Sequence, residues 1–184
     1  LEKVWISPQT DVVHFELDEI YWFTGTKQDS ETKITNSITV CRLMTTVSRE
    51  PRQILDFRVS HNLESNAVQE MIDSLPEVKN YHTDGGAIYL GVDFIGKHRR
   101  NTQNKQDTHI IEGTNANIRC YIAGLQRKSR CFFRKFETLK AVLTLFINAY
   151  NKFGEEKLNY RKRFPNRISP KGYISYPFSH LDFL

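Results

Sequence analysis

The chain is poor in several things that would have declared a function early. It has only three cysteines, Cys41, Cys120 and Cys131, and no two of them stand in C-x-x-C spacing. A disulfide framework and a zinc knuckle are therefore not supported, and a reducing cytosol fits. No apolar run approaches the ~20 residues of a membrane-spanning helix. The opening stretch LEKVWISPQT has no apolar centre of the kind a signal peptide needs. It also has no initiator Met, so an excised or processed segment is expected. Neither internal repeats nor low-complexity tracts occur. The six histidines, His14, His61, His82, His98, His109 and His180, show no metal-ligand spacing, although His82 precedes Asp84 by two and would share its side of a strand.

Acids are also missing from particular places. Between His109 and Lys135 the sole acid is Glu112, against Arg119, Arg127, Lys128, Arg130, Arg134 and Lys135. After Glu156 no acid follows until Asp182. That last stretch, basic with interleaved aromatics and prolines, reads as a tail and not as a second domain. The 184 residues carry a net charge of +5 with 39% hydrophobic and 26% charged residues, which is ordinary globular usage with a basic balance that permits nucleic-acid binding.

The chain is long enough for one domain with a true core. Val12 to Phe23, Ser37 to Ser48 and Gln53 to Ser60 are rich in β-branched and aromatic residues and read as three strands of an antiparallel meander. Residues 62–75 have helical apolar spacing, with Asn62 or Ser65 as caps and Pro76 as the stop. A short strand ends at Asp84, and residues 88–96 supply a further short element. The stretch from Lys97 to Asp107 is polar and reads as a loop. Helical spacing resumes at His109, with Ile111, Ile118, Ile122 and Leu125 on one stripe, and again from Phe136, where Gly154 can end the helix. This order predicts an α/β fold in which a mixed sheet is flanked by helices. The run Tyr21, Trp22 and Phe23 reads as core.

Three acids occupy unusual places: Asp18 within an apolar strand, Asp84 at a strand end before two glycines, and Glu112 at a helix start. Simple alternation would put Glu16 and Asp18 together on a solvated face, with Glu19 on the other. A mixed sheet can instead bring the first and fourth strands together, and a helix across them adds the third carboxylate. Three converging carboxylates repel unless a cation joins them, and hard oxygen donors suit Mg²⁺ or Mn²⁺. Glu112, Asn115 and Arg119 at i, i+3 and i+7 share one helix face, beyond the reach of an i, i+4 pair from Glu112 to Arg119.

These blocks, LDEIYWFTGTK, HTDGGAIY and IEGTNANIRCYIAGLQRKSRCFFRK, resemble the three motif blocks of bacterial insertion-sequence transposases of the DDE class, and among them the insertion-sequence-one family. The family pattern falls on Asp18, Glu19, Gly25 and Lys27, then on Thr83, Asp84, Gly85 and Tyr89. Its third block falls on Thr108, Glu112, Asn115, Arg119, Arg127, Lys128 and Ser129. The likeness runs roughly over residues 16–150. It implies a ribonuclease-H-like fold with a five-stranded sheet and a division into a linker (residues 1–10), a catalytic domain (11–153) and a basic tail (154–184). It also implies two Mg²⁺ or Mn²⁺ ions on Asp18, Asp84 and Glu112, with Asn115 and Arg119 in support. Double-stranded DNA would lie along Lys27, Arg127, Lys128, Arg130, Arg134 and Lys135, and a homodimer or larger oligomer would act in the bacterial cytosol. The amino-terminal DNA-recognition region of full-length relatives has no counterpart here. A related nuclease or junction-cutting enzyme on the same fold would use the same acids. A truncated, non-catalytic DNA-binding remnant is the third reading.

Overall fold

The computed structural model describes residues 12–24, 39–50, 52–101, 107–126, 133 and 135–163. Strand β1 (His14–Thr24) is the centre of a five-stranded sheet. It pairs antiparallel with β2 (Thr39–Ser48), which pairs antiparallel with β3 (Gln53–Ser60). On its other side β1 runs parallel to β4 (Asn80–Asp84), and β4 runs parallel to β5 (Lys97–Asn101). The order β3-β2-β1-β4-β5, with a meander on one side and parallel strands on the other, is the ribonuclease-H-like arrangement. The fifth strand is a correction: residues 97–101 are not loop. Lys97, His98, Arg99 and Arg100 have no apolar alternation to betray a strand, and pairing with β4 alone makes them one.

The sheet has two apolar faces. Phe15 and Leu17 of β1 and Tyr81 of β4 pack with Val68, Met71 and Ile72 of helix α1 (Ser65–Asp73). Ile20 and Trp22 of β1, with Cys41 and Leu43 of β2, pack on the opposite face. There they meet Ile111 and Ile118 of helix α2 (His109–Tyr121) and Leu139, Leu143 and Ile147 of helix α3 (Phe136–Arg163). Alternation along β1 thus feeds two cores, as expected of a sheet covered on both sides. Residues 87–91 form a short 3-10 turn between β4 and β5, in place of the further element read there.

Several sequence expectations shift. Helix α1 is preceded by Glu64, with neither Asn62 nor Ser65 capping it; the Ser65 hydroxyl bonds the Ile88 carbonyl instead. Helix α2 stops at Tyr121, and Leu125 sits in a separate 3-10 turn, still buried in the same core. Helix α3 runs through Gly154 to Arg163, because a glycine inside a helix costs only about 1 kcal/mol and does not force an end. Trp22 is buried, whereas Tyr21 is 54% exposed and belongs to no core. Among the described cysteines, Cys41 is buried and Cys120 exposed, both as free thiols; Cys131 lies outside the described residues. No described helix is long and apolar enough to cross a membrane.

Asn151 of α3 closes the β3 edge of the sheet. Its Oδ1 accepts from the Ile54 N–H and its Nδ2 donates to the Ile54 carbonyl, both at 2.8 Å. Asn151 is fully buried. Asn151→Ala would strand both backbone groups away from water, and the loss of such partners costs about 1–3 kcal/mol per group. Chemical denaturation should show a stability loss of at least ~2 kcal/mol, and an undiminished midpoint would show that another group takes over the bonds.

Candidate active site

The site is built where β1, β4 and α2 meet. The parallel register sets Leu17 beside Thr83, so Asp18 and Asp84 occupy the next step on neighbouring strands, about 4.8 Å apart in the backbone. Both belong to the even-numbered side of β1 and β4, which faces α2. Asn115 of α2 lies over this side. Its Nδ2 donates to Asp18 Oδ2 at 2.9 Å, and its Oδ1 accepts from Thr45 Oγ1 at 2.9 Å. Thr45 is the β2 partner of Asp18. Asn115 therefore has its amide orientation fixed on one side by a hydroxyl donor, which leaves its NH₂ to hold the carboxylate. It stands beside Asp18, as its i+3 spacing from Glu112 predicts.

Glu112, one turn earlier, accepts a long bond from Thr108 Oγ1 at 3.5 Å. Asp18 is pushed above the ordinary carboxylate range, first by burial and then by the negative charges of Asp84 and Glu112; bonds from the Glu19 backbone and Asn115 oppose the rise. Asp84 and Glu112 thus both lie close enough for their charges to act on Asp18. Asp84 is exposed and its Oδ1 accepts from Gly86 N–H at 2.8 Å. A side chain at position 86 would meet that same oxygen at 2.9 Å and the Tyr89 ring at 3.3 Å, so the second glycine of the turn lets the carboxylate fold back. Tyr89 lies buried behind it, and its phenol is raised well above the usual range by burial and by Asp84, Glu19 and Asp18.

Glu19 points the other way. It lies with Arg42 (3.9 Å) and Tyr21 on the opposite face, and the Arg42 guanidinium sits 5.3 Å from the Tyr21 ring centre. Of the adjacent pair, Asp18 is the one turned toward Asn115 and α2.

The main surprise is Glu16. Alternation suggested a solvated carboxylate, yet it is completely buried. Its Oε1 accepts from Arg49 Nε at 2.6 Å and its Oε2 accepts from the Ile111 N–H at 2.8 Å. Ile111 is the third residue of α2, so a strand carboxylate caps a helix whose own Thr108 makes no side-chain cap to the backbone. A negative group is favoured at that position by the unpaired N–H groups and the helix dipole. Arg49 also bonds the Asp107 carbonyl and lies 3.6 Å from its carboxylate. Nothing in local sequence marks Glu16 as a cap, because its partner is 95 residues away.

Beside this cluster, His82 Nε2 lies 3.1 Å from His14 Nδ1, and His82 Nδ1 is 4.0 Å from Asp107. His82 is lowered to about 4 by burial and then by Arg49, so it is neutral near pH 7. His82 does share the side of Asp84, as its spacing predicts, but its neighbours are His14 and Asp107.

Arg119 occupies the last turn of α2 and is half-buried. Lys135 is exposed just before α3, with its carbonyl accepting from Leu139 N–H at 3.3 Å. Lys27, Arg127, Lys128, Arg130 and Arg134 lie outside the described residues.

Hard-oxygen donors set in one field, one of them desolvated, have the chemistry of a divalent-cation site. Among the described residues no ion pair neutralises Asp18 or Asp84, and no three His, Cys, Asp or Glu side chains already close a ligand set. Like charges act on one another over longer distances than ligation allows.

No protein-family model matches this chain, and neither does any curated protein. Solved structures similar to it include a chain of the Mos1 strand transfer complex, with 10% identity and a TM-score of 0.44. That match covers 90% of this chain and 56% of the Mos1 chain, so the present chain spans little more than half of that neighbour's length.

Two outcomes follow from the electrostatics. Asp18 binds its proton more tightly folded than unfolded, so stability falls as pH rises from the ordinary value of 3.8 through its raised value, and stays lower above. In EDTA at pH 7, Asp18→Asn should raise the melting temperature by roughly 2–4 °C, the scale that ~1 kcal/mol produces in a domain of this size. The gain should vanish below pH 3.8. Glu16→Ala should lower the melting temperature, costing about 3 kcal/mol, because it removes the buried partner of Arg49, which keeps only Asp107, and uncaps the helix. Thermal melts of the two variants against pH check both signs.

Proposed function

We propose that this chain is the catalytic domain of a DNA transposase of the DDE class, akin to the insertion-sequence-one family, which cuts DNA strands and joins them. The observation that carries this reading is that Asp18 and Asp84 stand side by side on neighbouring strands beneath the face of α2 that bears Asn115, three residues after Glu112. Two acids from distant parts of the chain, Asp84 and Glu112, both act on Asp18, while Asn115 holds its carboxylate. Their chain order and the ribonuclease-H-like sheet beneath them support the same reading.

Asp18, Asp84 and Glu112 would hold two divalent ions, Mg²⁺ or Mn²⁺. Bound there, such ions activate an attacking oxygen and offset charge on the leaving oxygen of a phosphodiester. The chain's own residues do the positioning. Asn115 sets the Asp18 carboxylate, Gly86 holds Asp84 through its N–H, and Glu16 anchors the helix that bears Glu112. Arg119 would meet a phosphate beside the acids. A water and then a DNA 3′-hydroxyl would attack in line, without a covalent enzyme intermediate, so the rate comes from orientation and preorganised charge. Lys27, Arg127, Lys128, Arg130, Arg134 and Lys135 would hold the flanking duplex. Pairing of two DNA ends calls for a homodimer or larger assembly, at work in the bacterial cytosol.

Asp18→Ala, Asp84→Ala and Glu112→Ala should each abolish Mg²⁺-dependent nicking and strand joining while preserving the folded circular-dichroism spectrum. Near-normal activity in any one of them would remove that residue from the site. An assay that scores joined as well as cut products separates transposition from nuclease or junction cutting. For the duplex contacts, Arg127→Ala with Lys128→Ala should weaken binding to all sequences alike and flatten the plot of log K against log salt by one to two units, since each phosphate contact contributes about 0.9. An unchanged slope would return both residues to ordinary solvated surface.

A further inference from the structure

Strand β5 carries an alternating row that the acid motif does not include. Its register with β4 sets Lys97 beside Asn80, Arg99 beside His82, and Asn101 beside Asp84. In-register residues of neighbouring strands project to one face. The charge of Arg99 accordingly contributes to the lowering of His82. Lys97, Arg99 and Asn101 thus share the face of Asp84 and Asp18, whereas His98 bonds Thr83 and stacks on Phe94 on the other face. Alternate residues stand about 6.6 Å apart, so the row runs some ~13 Å and ends level with Asp84.

Among the described residues β5 is an outer strand of the sheet, and Lys97 and Arg99 are exposed. Charges on an edge strand often serve only to block pairing with other chains. That purpose accounts for Lys97 and Arg99 but not for Asn101. Asn101 is half-buried, and its Nδ2 is buried with no hydrogen-bond partner. A buried amide donor without an acceptor is costly, and an apolar residue would serve packing better.

The surroundings say which acceptor. An anion approaching Asp18, Asp84 and Glu112 meets repulsion. On the β2 side the flanking group is neutral Thr45, already committed to Asn115. On the β5 side the flanking groups are a free amide donor followed by two cations. We propose that β5 is a phosphate-binding edge: Lys97 and Arg99, exposed on the face of the acids, neutralise phosphates of one DNA strand, and the Asn101 amide, covered in the DNA-free chain, turns outward to donate to a phosphodiester oxygen beside the acids. The assignment rests on the reading of this domain as one that acts on DNA. Contacts of this kind position the strand without reading its bases.

The test is fluorescence anisotropy with a labelled duplex in EDTA, where no cleavage occurs, at several salt concentrations. Lys97→Gln with Arg99→Gln should flatten the plot of log K against log salt by about two units, at 0.9 per contact. Arg52→Gln with Lys140→Gln, which removes the same charge from exposed positions on other parts of the surface, should change it by less than half as much. Equal effects of the two pairs, or an unchanged slope in the first, overturn the proposal while leaving the catalytic reading intact. Asn101→Val should weaken binding severalfold yet leave the melting temperature equal or higher, because it removes an unpaired buried donor. A lower melting temperature with undiminished binding would mark Asn101 as structural and overturn its part. If the wild-type chain binds no duplex at any salt concentration, both this proposal and the reading beneath it fall.

Discussion

The buried carboxylate of Glu16 ties the molecule together. It takes one bond from Arg49 at the end of the β2 hairpin and another from the first turn of α2. A charge in the interior survives only when it is paired and fully bonded, and these partners come from separate segments. Once they are in place, α2 is held at a set height above β1. Asn115 then falls over Asp18, two residues along the strand from Glu16, and Glu112 follows Ile111 into the neighbourhood of the acids. The catalytic geometry proposed here thus depends on a group that takes no part in the chemistry.

The same arrangement sets the electrostatic character of the site. In a sheet buried on both faces, the middle of β1 and the C-terminal end of β4 are where these polar groups gather. Asp18 is partly desolvated there, and Asp84 and Glu112 add like charge. Burial and like charge together oppose ionisation of Asp18, so this position works against stability at neutral pH. The Glu16 cluster next door has the opposite sign of design: its charge is matched by Arg49, and His82 stays neutral beside it. Within a few residues of β1 the fold gives one carboxylate a cationic partner and the other the neutral amide of Asn115.

Several parts of this picture were legible in the residues. The three meander strands, the α1 stripe from Val68 to Ile72 and the α2 stripe from Ile111 to Ile118 announced themselves by period, because each buries one side against a core. The placing of Asp18 in an apolar strand, Asp84 before two glycines and Glu112 at a helix start marked them as candidates. The i+3 step put Asn115 on the face of Glu112. The cues failed where a local pattern had no tertiary reason behind it. Gly154 did not end α3, and Tyr21 stayed at the surface despite its apolar neighbours.

What the sequence by itself determined was periodicity, charge and chain order, since these are properties of near neighbours. What only the tertiary structure decided was pairing over distance. The strand nature of Lys97 to Asn101 comes from hydrogen bonds to β4, not from its own polar residues. The burial of Glu16 comes from a helix 95 residues on, which covers a face that alternation alone would have left in water. Alternation says which residues share a side of a strand, but it cannot say which side a helix will cover. That choice belongs to the packing, and here it turned a surface acid into the anchor of the site.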